Sequence, residues 1–264
     1  MRDHATLGSV VSRMRRVIVV IAVVGLLPML AWAQTIYRTP DGVERKMGNP
    51  AYDGRFVFTR IRYRGPGFGG FGGGSWSHDY PASDFYISDA LNTLTRMRAS
   101  ADRTNVLELE DDAIFSNPIL YVSEPGFWRV SEKGAANLRQ HLLKGGFIIF
   151  DDFEHQPEWD NMAAQMRRAV PELQWFPIDI RHPVFHTVFD LKRLDVPHPT
   201  VDVVPDYRAL FLDNDPNGRM VALANHNADL AEYWEWSADE RFSVDVTSGA
   251  YEMGVNYLVY AMTH

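Results

Sequence analysis

A strand, a helix and a second strand follow one another in the middle of the chain, and this unit constrains the fold more than any other segment. PILYV (118–122) is typical of a buried strand, SEKGAANLRQHLLKGG (131–146) of a helix that ends at a glycine pair, and FIIFDD (147–152) of the next strand. Short connections between such elements favour a right-handed crossover, and therefore two parallel strands. The unit predicts an α/β fold.

Flanking segments extend this prediction to a three-layer sandwich with a mostly parallel central sheet. FVFTRIRY (56–63) and GRMVALAN (218–225) have the apolar, β-branched character of further strands. Apolar residues at helical spacing predict helices over 83–97, 158–170 and 251–262, the first of them with Ser83 as its N-cap.

The first 33 residues have the pattern of a cleavable export signal. Arginines precede the apolar run VIVVIAVVGLLPML (17–30), and small residues at Ala31 and Ala33 complete the cleavage pattern. We expect cleavage between Ala33 and Gln34, which would leave a periplasmic or secreted protein without a membrane span; an uncleaved anchor is the alternative. Residues 34–54 then form a leader segment, and 55–264 a single domain.

Composition excludes several classes of site. The chain of 264 residues contains no cysteine, which excludes disulfides, thiolate metal sites and a cysteine nucleophile. Its formal net charge of −8 at pH 7 makes nucleic acid an unsuitable partner, because phosphate backbones require a basic surface. The expected partner is a small ligand or an unknown protein of the cell envelope.

Four longer segments carry a family resemblance: WSHDYPASDFYISDALNTLT (76–95), GGFIIFDDFEHQPEW (145–159), RHPVFHTVF (181–189) and DPNGRMVALANHNADLAEYWEW (215–236). In this order they resemble the bacterial family catalogued as domain of unknown function 4159. The resemblance implies a flavodoxin-like domain related to class I glutamine amidotransferases, and no established activity. Catalytic amidotransferases carry a nucleophilic cysteine where this chain has Asp151-Asp152-Phe153, so glutaminase activity is not expected.

The glycine-rich segment GPGFGGFGGG (65–74) satisfies the pattern G-x-G-x-x-G but does not open a helix directly. A dinucleotide site needs the helix N-terminus at the pyrophosphate. The segment is therefore predicted to be a mobile lip near a cleft or a plain connector, and not a phosphate cradle.

Polar residues follow three predicted strands at the edge where ligands bind in open α/β sheets. The candidates for a ligand-binding cleft are Trp76, His78, Asp79, Tyr80, Asp84, Asp151, Asp152, Glu154, His155, Asn225, Asn227 and Asp229. Asp152 and Asp79 are the candidate catalytic pair, with helix capping as the structural alternative. The carboxylates would suit a divalent cation such as Ca²⁺ or Mg²⁺, although no cofactor is predicted and no metal site is assigned.

These observations predict an exported, non-catalytic domain that binds a ligand or partner. The alternative is a periplasmic hydrolase that acts on glycans or similar substrates through an acidic, metal-assisted cleft. The two hypotheses differ in geometry. Convergence of the Asp79, Asp152 and Asp229 carboxylates in a concave pocket favours the hydrolase, whereas carboxylates that point apart as helix caps favour the binding domain.

Overall fold

A computed structural model describes residues 36–39, 42–65 and 75–264. The predicted signal, its cleavage site at Ala33 and Gln34, and most of the glycine-rich segment lie outside the described residues. Within the predicted leader, strands β1 (Ile36–Arg38) and β2 (Glu44–Lys46) form an antiparallel hairpin. None of the described helices has the length and apolar character needed to cross a membrane.

The main sheet of the described residues has seven strands in the order β4-β3-β5-β6-β9-β8-β7. The four neighbouring pairs from β4 to β9 are parallel, and β8 runs antiparallel to both β9 and β7. The predicted mostly parallel sheet is therefore confirmed. The strands are β3 (Thr59–Ile61), β4 (Asn105–Leu107), β5 (Ile119–Ser123), β6 (Phe147–Phe153), β7 (Trp175–Pro177), β8 (Asp206–Phe211) and β9 (Met220–His226).

Helices cover both faces of this sheet and complete an α/β sandwich. One apolar cluster joins the sheet to three helices, α1 (Ala82–Leu94), α4 (Leu230–Glu235) and α5 (Val244–Thr263), and the other joins it to α2 (Glu132–Leu143) and α3 (His155–Ala169). Strand β6 supplies side chains to both clusters in alternation, as a strand buried on two faces must.

Two local predictions need correction. The helix predicted over 83–97 begins at Ala82, with Pro81 in the N-cap position and no side-chain cap, so Ser83 is not its cap. The strand predicted over 56–63 pairs only at Thr59–Ile61. The preceding residues are instead held by hydrogen bonds from the backbone N–H groups of Ser100 and Asn105 to the carbonyls of Phe56 and Phe58.

Strand order places a crevice at one edge of the sheet. After β3 the chain passes through α1 to β4 on one side, and β5 then lies on the other side of β3. The loops that leave β3 and β5 therefore separate at their carboxyl ends. In open α/β sheets this is where ligands bind.

Candidate functional site

The loops at the carboxyl ends of the strands enclose a cleft of about 650 Å³. Three loops and the end of β6 each place an acid in its lining: Asp79 lies between β3 and α1, Glu124 after β5, Asp152 near the end of β6, and Asp229 after β9. The lining consists of Ser77, His78, Asp79, Tyr80, Glu124, Phe127, Asp152, Glu154, Glu158, His198, Thr200, Asp229, Glu232, Glu235, Trp236 and Arg241.

Three of these acids have a backbone conformation that is uncommon for residues other than glycine. Asp79, Glu124 and Asp152 have φ angles of 60°, 46° and 61°. Such left-handed residues are energetically unfavourable and persist where the surrounding fold imposes them, often at functional sites. Glu124 and Asp152 lie at the ends of β5 and β6, Asp79 lies just before α1, and all three residues line one cleft.

The centre of the cleft is a cluster of four side chains, which we call the Asp79 cluster: His78, Asp79, Asp152 and Asp229. Each offers one nitrogen or oxygen atom that could hold a metal ion, and these atoms all lie within 4.8 Å of one another. Asp229 also caps α4, since its Oδ1 accepts a hydrogen bond of 3.0 Å from the Glu232 N–H. The carboxylates therefore converge, which is the geometry that favours the hydrolase hypothesis.

Asp79 has an unusual environment for a carboxylate. Asp79 is only 3% exposed, and within the described part of the chain neither of its carboxylate oxygens has a hydrogen-bond partner. Burial, followed by the negative charge of Asp152, raises the pKa of Asp79 well above its ordinary value. Burial and the same neighbour raise the pKa of Asp229. A cation would stabilise both ionised groups.

His78 supplies the positive charge nearest to these acids. Its Nδ1 lies 2.6 Å from Oδ2 of Asp152 and 3.4 Å from Oε1 of Glu124. The hydrogen bond to Asp152 raises the pKa of His78 to about 9. Asp152 also accepts a hydrogen bond of 3.2 Å from Ser123 Oγ. Asp152 is therefore held in place from two sides, whereas Asp79 is not.

A second layer of acids surrounds the Asp79 cluster. Burial raises the pKa of Glu158 to about 7, even though its Oε2 accepts a hydrogen bond of 2.9 Å from the Glu154 N–H. Burial and the charge of Asp152 also raise the pKa of Glu124. The described lining offers only His78, His198 and Arg241 as bases against eight carboxyl groups. The cleft thus has a strong negative potential.

Six of the predicted site residues line the cleft, namely His78, Asp79, Tyr80, Asp152, Glu154 and Asp229. The other six are placed elsewhere, and the fold accounts for their polarity. Asp84 forms an ion pair of 2.7 Å with Arg60, both side chains being fully buried, and also accepts a hydrogen bond from Thr104.

Asp151 points to the sheet face covered by α4. Its carboxylate accepts hydrogen bonds from the Tyr121 hydroxyl (2.7 Å), from Asn225 Nδ2 (2.9 Å) and from the backbone N–H groups of Leu230 and Ala231. Burial raises the pKa of Asp151 to about 6. Asp151 and Asn225 thus join β5, β6 and β9 to the start of α4.

The remaining three residues lie outside the cleft lining. Asn227 accepts a hydrogen bond of 3.0 Å from the His155 N–H and donates one of 2.9 Å to the Val204 carbonyl. His155 itself is exposed. Trp76 packs against the apolar cluster of α2 and α3, and its ring lies 5.8 Å from that of Tyr80.

Sequence reasoning missed several residues of the lining. Glu124 directly follows β5. The rule that ligands bind at the carboxyl ends of the strands, which we call the strand-end rule, predicted Asp152 and applies equally to Glu124. His198 lies in an irregular segment, and Arg241 lies beyond α4. Pro197 and Pro199 mark a loop around His198, but no sequence signal indicates that this loop or Arg241 reaches the cleft.

Comparison with known proteins identifies a family over most of the chain. The family described as Domain of unknown function (DUF4159) matches residues 57–262, a region that includes every residue of the described cleft lining. A comparison with curated proteins gives no significant match.

Proposed function

The chain belongs to the DUF4159 family, and we propose that the cleft of this domain holds a divalent metal ion and hydrolyses glycans or similar substrates. From the signal pattern of residues 1–33 we also propose that it does so in the periplasm or after secretion. Three aromatic side chains in the cleft lining, those of Tyr80, Phe127 and Trp236, support a sugar substrate, because sugar rings stack on aromatic faces.

The observation that carries this proposal is the Asp79 cluster. Ligand atoms about 2.0–2.2 Å from one ion can be at most about 4.4 Å apart, and the 4.8 Å limit of the cluster is close to that span. Three carboxylates and the imidazole of His78, which must release its proton to bind an ion, form a mixed donor set that suits Mn²⁺ or Zn²⁺. Asp79, buried and without a hydrogen-bond donor in the described residues, lacks the compensation that a cation would provide.

A bound divalent ion would supply Lewis-acid chemistry and lower the pKa of a water molecule towards neutrality. The chain itself offers Glu158 as the group that takes or gives the proton, because its pKa of about 7 suits general acid–base catalysis near neutral pH. Gly126 permits its position. A β-carbon at Gly126 would lie only 2.5 Å from Cβ and Cγ of Glu158.

We infer in addition that the fold is flavodoxin-like and related to the class I glutamine amidotransferases. The support is the strand order of the parallel part of the sheet: the second strand of this sheet lies outside the first, and the third, fourth and last follow on the other side. The flavodoxin-like order 2-1-3-4-5 has the same pattern.

The first experiment combines binding with turnover. The chain from residue 34 onward would be titrated calorimetrically with Mn²⁺ and Zn²⁺, and assayed with each ion on chromogenic glycosides and acetylated sugars. We expect binding and hydrolysis in the wild type, loss of both in Asp152→Asn, and retention in the control Asp239→Asn, which removes an exposed acid just beyond α4. Hydrolysis that survives Asp152→Asn, or the absence of any cation binding, would contradict the proposal.

The alternative proposal is a non-catalytic domain that binds a small ligand or an envelope partner in the same cleft. One observation favours it. The segment that corresponds to the nucleophile of catalytic amidotransferases contains Asp151, which is fully buried and engaged in hydrogen bonds on three sides. Cation binding that depends on Asp152, without turnover of any substrate in the panel, would favour this alternative.

A further inference from the structure

Asp79 belongs to a second group of convergent carboxylates, together with Glu232 and Glu235 of α4. The ligand oxygens of these three residues also lie within 4.8 Å of one another. We propose that they form a second cation site, bridged by Asp79 to the first. This inference rests on the proposed function and deepens it, because it makes the centre of the cleft a two-cation site.

The bridging role follows from the two oxygens of Asp79. Both are buried, and neither has a hydrogen-bond partner in the described part of the chain. A single cation bound by one oxygen would leave the other without a partner, which is unfavourable for a buried charged group. One oxygen directed to each cation satisfies both.

Helix α4 connects the two sites. Glu232 and Glu235 are three residues apart and therefore lie on the same helix face. Asp229, a ligand candidate of the first site, caps the same helix, whose first backbone N–H groups are held by Asp151. The ligands of the second site are thus positioned relative to the first by hydrogen bonds that are already formed.

Donor chemistry distinguishes the two sites. The second offers only carboxylate oxygens, which suit hard cations such as Mg²⁺, Ca²⁺ and Mn²⁺, whereas the first includes an imidazole. Mn²⁺ suits both donor sets and is therefore the appropriate probe. Two cations together would also balance much of the negative charge of the cleft.

Arg241 is the charged neighbour with which a second cation must compete. Its Nη1 lies 3.3 Å from Oε1 of Glu232, and its guanidinium lies over the Trp236 ring at 4.6 Å. The Arg241 side chain is 47% exposed, so it can leave Glu232 and remain stacked. We therefore expect Arg241→Gln to bind the second Mn²⁺ more tightly than the wild type does.

The test is the stoichiometry of Mn²⁺ binding to the chain from residue 34 onward, measured by calorimetry and by electron paramagnetic resonance, which detects coupling between neighbouring Mn²⁺ ions. We expect two equivalents and a coupled signal in the wild type. Glu235→Gln should weaken the binding of one of the two Mn²⁺ ions by at least about tenfold and abolish the coupling. Even the loss of a residue that only supports a metal ligand weakens metal binding about 10–100-fold. Glu240→Gln, which alters an exposed acid, should behave as the wild type.

The outcomes separate this inference from the proposed function. The second site would be overturned, and the first retained, if the wild type bound one Mn²⁺ ion per chain and this binding were unaffected by Glu235→Gln but lost in Asp152→Asn. No equivalent in the wild type would overturn both. Circular dichroism and the melting temperature establish that each variant is folded, and tighter binding by Arg241→Gln provides a gain that a folding defect does not produce.

Discussion

Asp79 and Asp84 lie in the same short motif, and both are buried, but their surroundings are opposite. Asp84 is paired with Arg60 and accepts a hydrogen bond from Thr104; we call this set the Arg60 pair. Asp79 faces the acidic cleft, where its charged neighbours include Asp152, two glutamates of α4 and His78, whose Nε2 lies 4.0 Å from its Oδ1. Asp84 therefore has hydrogen-bond partners for its charge, whereas Asp79 has none among the described residues.

The comparison shows that burial alone does not mark a functional acid. A buried carboxylate with a complete set of partners is part of the folded framework. A buried carboxylate without partners persists only if something else stabilises it or if its function requires the unfavourable position. Four predictions follow from this difference, ordered by the size of the expected effect.

The largest effect is expected at the Arg60 pair. Asp84→Asn leaves the guanidinium of Arg60 buried without a counter-charge, and removal of one partner from such a pair lowers the free energy of unfolding by about 3–5 kcal/mol. Urea unfolding measures the change. A loss below about 1 kcal/mol would mean that the pair contributes no more than a surface contact.

The second effect is stabilisation by a cation. Mn²⁺ at 100 times its dissociation constant should raise the free energy of unfolding by about 2.7 kcal/mol, because it binds only the folded cluster. The same urea titration, run with Mn²⁺ and with a chelator, measures this difference. Asp152→Asn should abolish this stabilisation by Mn²⁺, whereas the folded fraction of Asp84→Asn should retain it. An equal response of Asp152→Asn and the wild type would contradict the assignment of the Asp79 cluster as the cation site.

The third effect is of opposite sign to the first. In the presence of a chelator, Asp79→Asn should raise the free energy of unfolding by roughly 0.5–2 kcal/mol, because it removes from a functional site a buried carboxyl group whose ionisation the surroundings oppose. The variant should also lose the response to Mn²⁺. A destabilised Asp79→Asn would show that the carboxylate contributes to the fold as Asp84 does.

The smallest effect is a pH dependence. Burial raises the pKa of Glu158 from 4.5 to about 7, so the folded state holds this proton more tightly than the unfolded state. The stability that results is present at low pH and is lost as the pH rises from about 4.5 to 7. With a chelator present, Glu158→Gln should reduce the slope of stability against pH in that window, as measured by urea unfolding.

Two histidines, one in the cleft and one in α2, provide the background for that measurement. The raised pKa of His78 adds stability below 6.5 that is lost as the pH rises through about 9, so it acts in the same direction as Glu158 but at higher pH. Burial lowers the pKa of His141 to about 4, and its contribution is lost as the pH falls from 6.5. An unchanged slope in Glu158→Gln would contradict the assigned pKa, and Glu240→Gln serves as the control.

The sequence predicted the framework because its signals are local. Apolar runs and the glycine pair at 145–146 identify β5, α2 and β6 without reference to the rest of the chain. In the structure α2 begins after Ser131, whose Oγ accepts a hydrogen bond of 3.0 Å from the Gly134 N–H. The edge strand β7 and the antiparallel β8 went unpredicted, because their pairing depends on distant segments.

The candidate site was predictable as a location but not residue by residue. The strand-end rule brings Asp79, Asp152 and Asp229 to one edge whatever their partners are. It cannot separate Asp79 from Asp84, because the partner of Asp84 is Arg60, which lies in β3 and is brought to α1 only by the tertiary fold. The position of His198 likewise depends on how a long irregular segment returns to the cleft.

The hydrogen bonds of Asp151 have a consequence for access to the cleft. Since one carboxylate joins α4 to three strands, α4 cannot swing outward without breaking several buried contacts at once. The side of the cleft formed by α4 is therefore fixed. The segment around His198 and Thr200 also lines the cleft but has no regular secondary structure, so we expect entry and exit of a bound molecule to depend on it more than on α4.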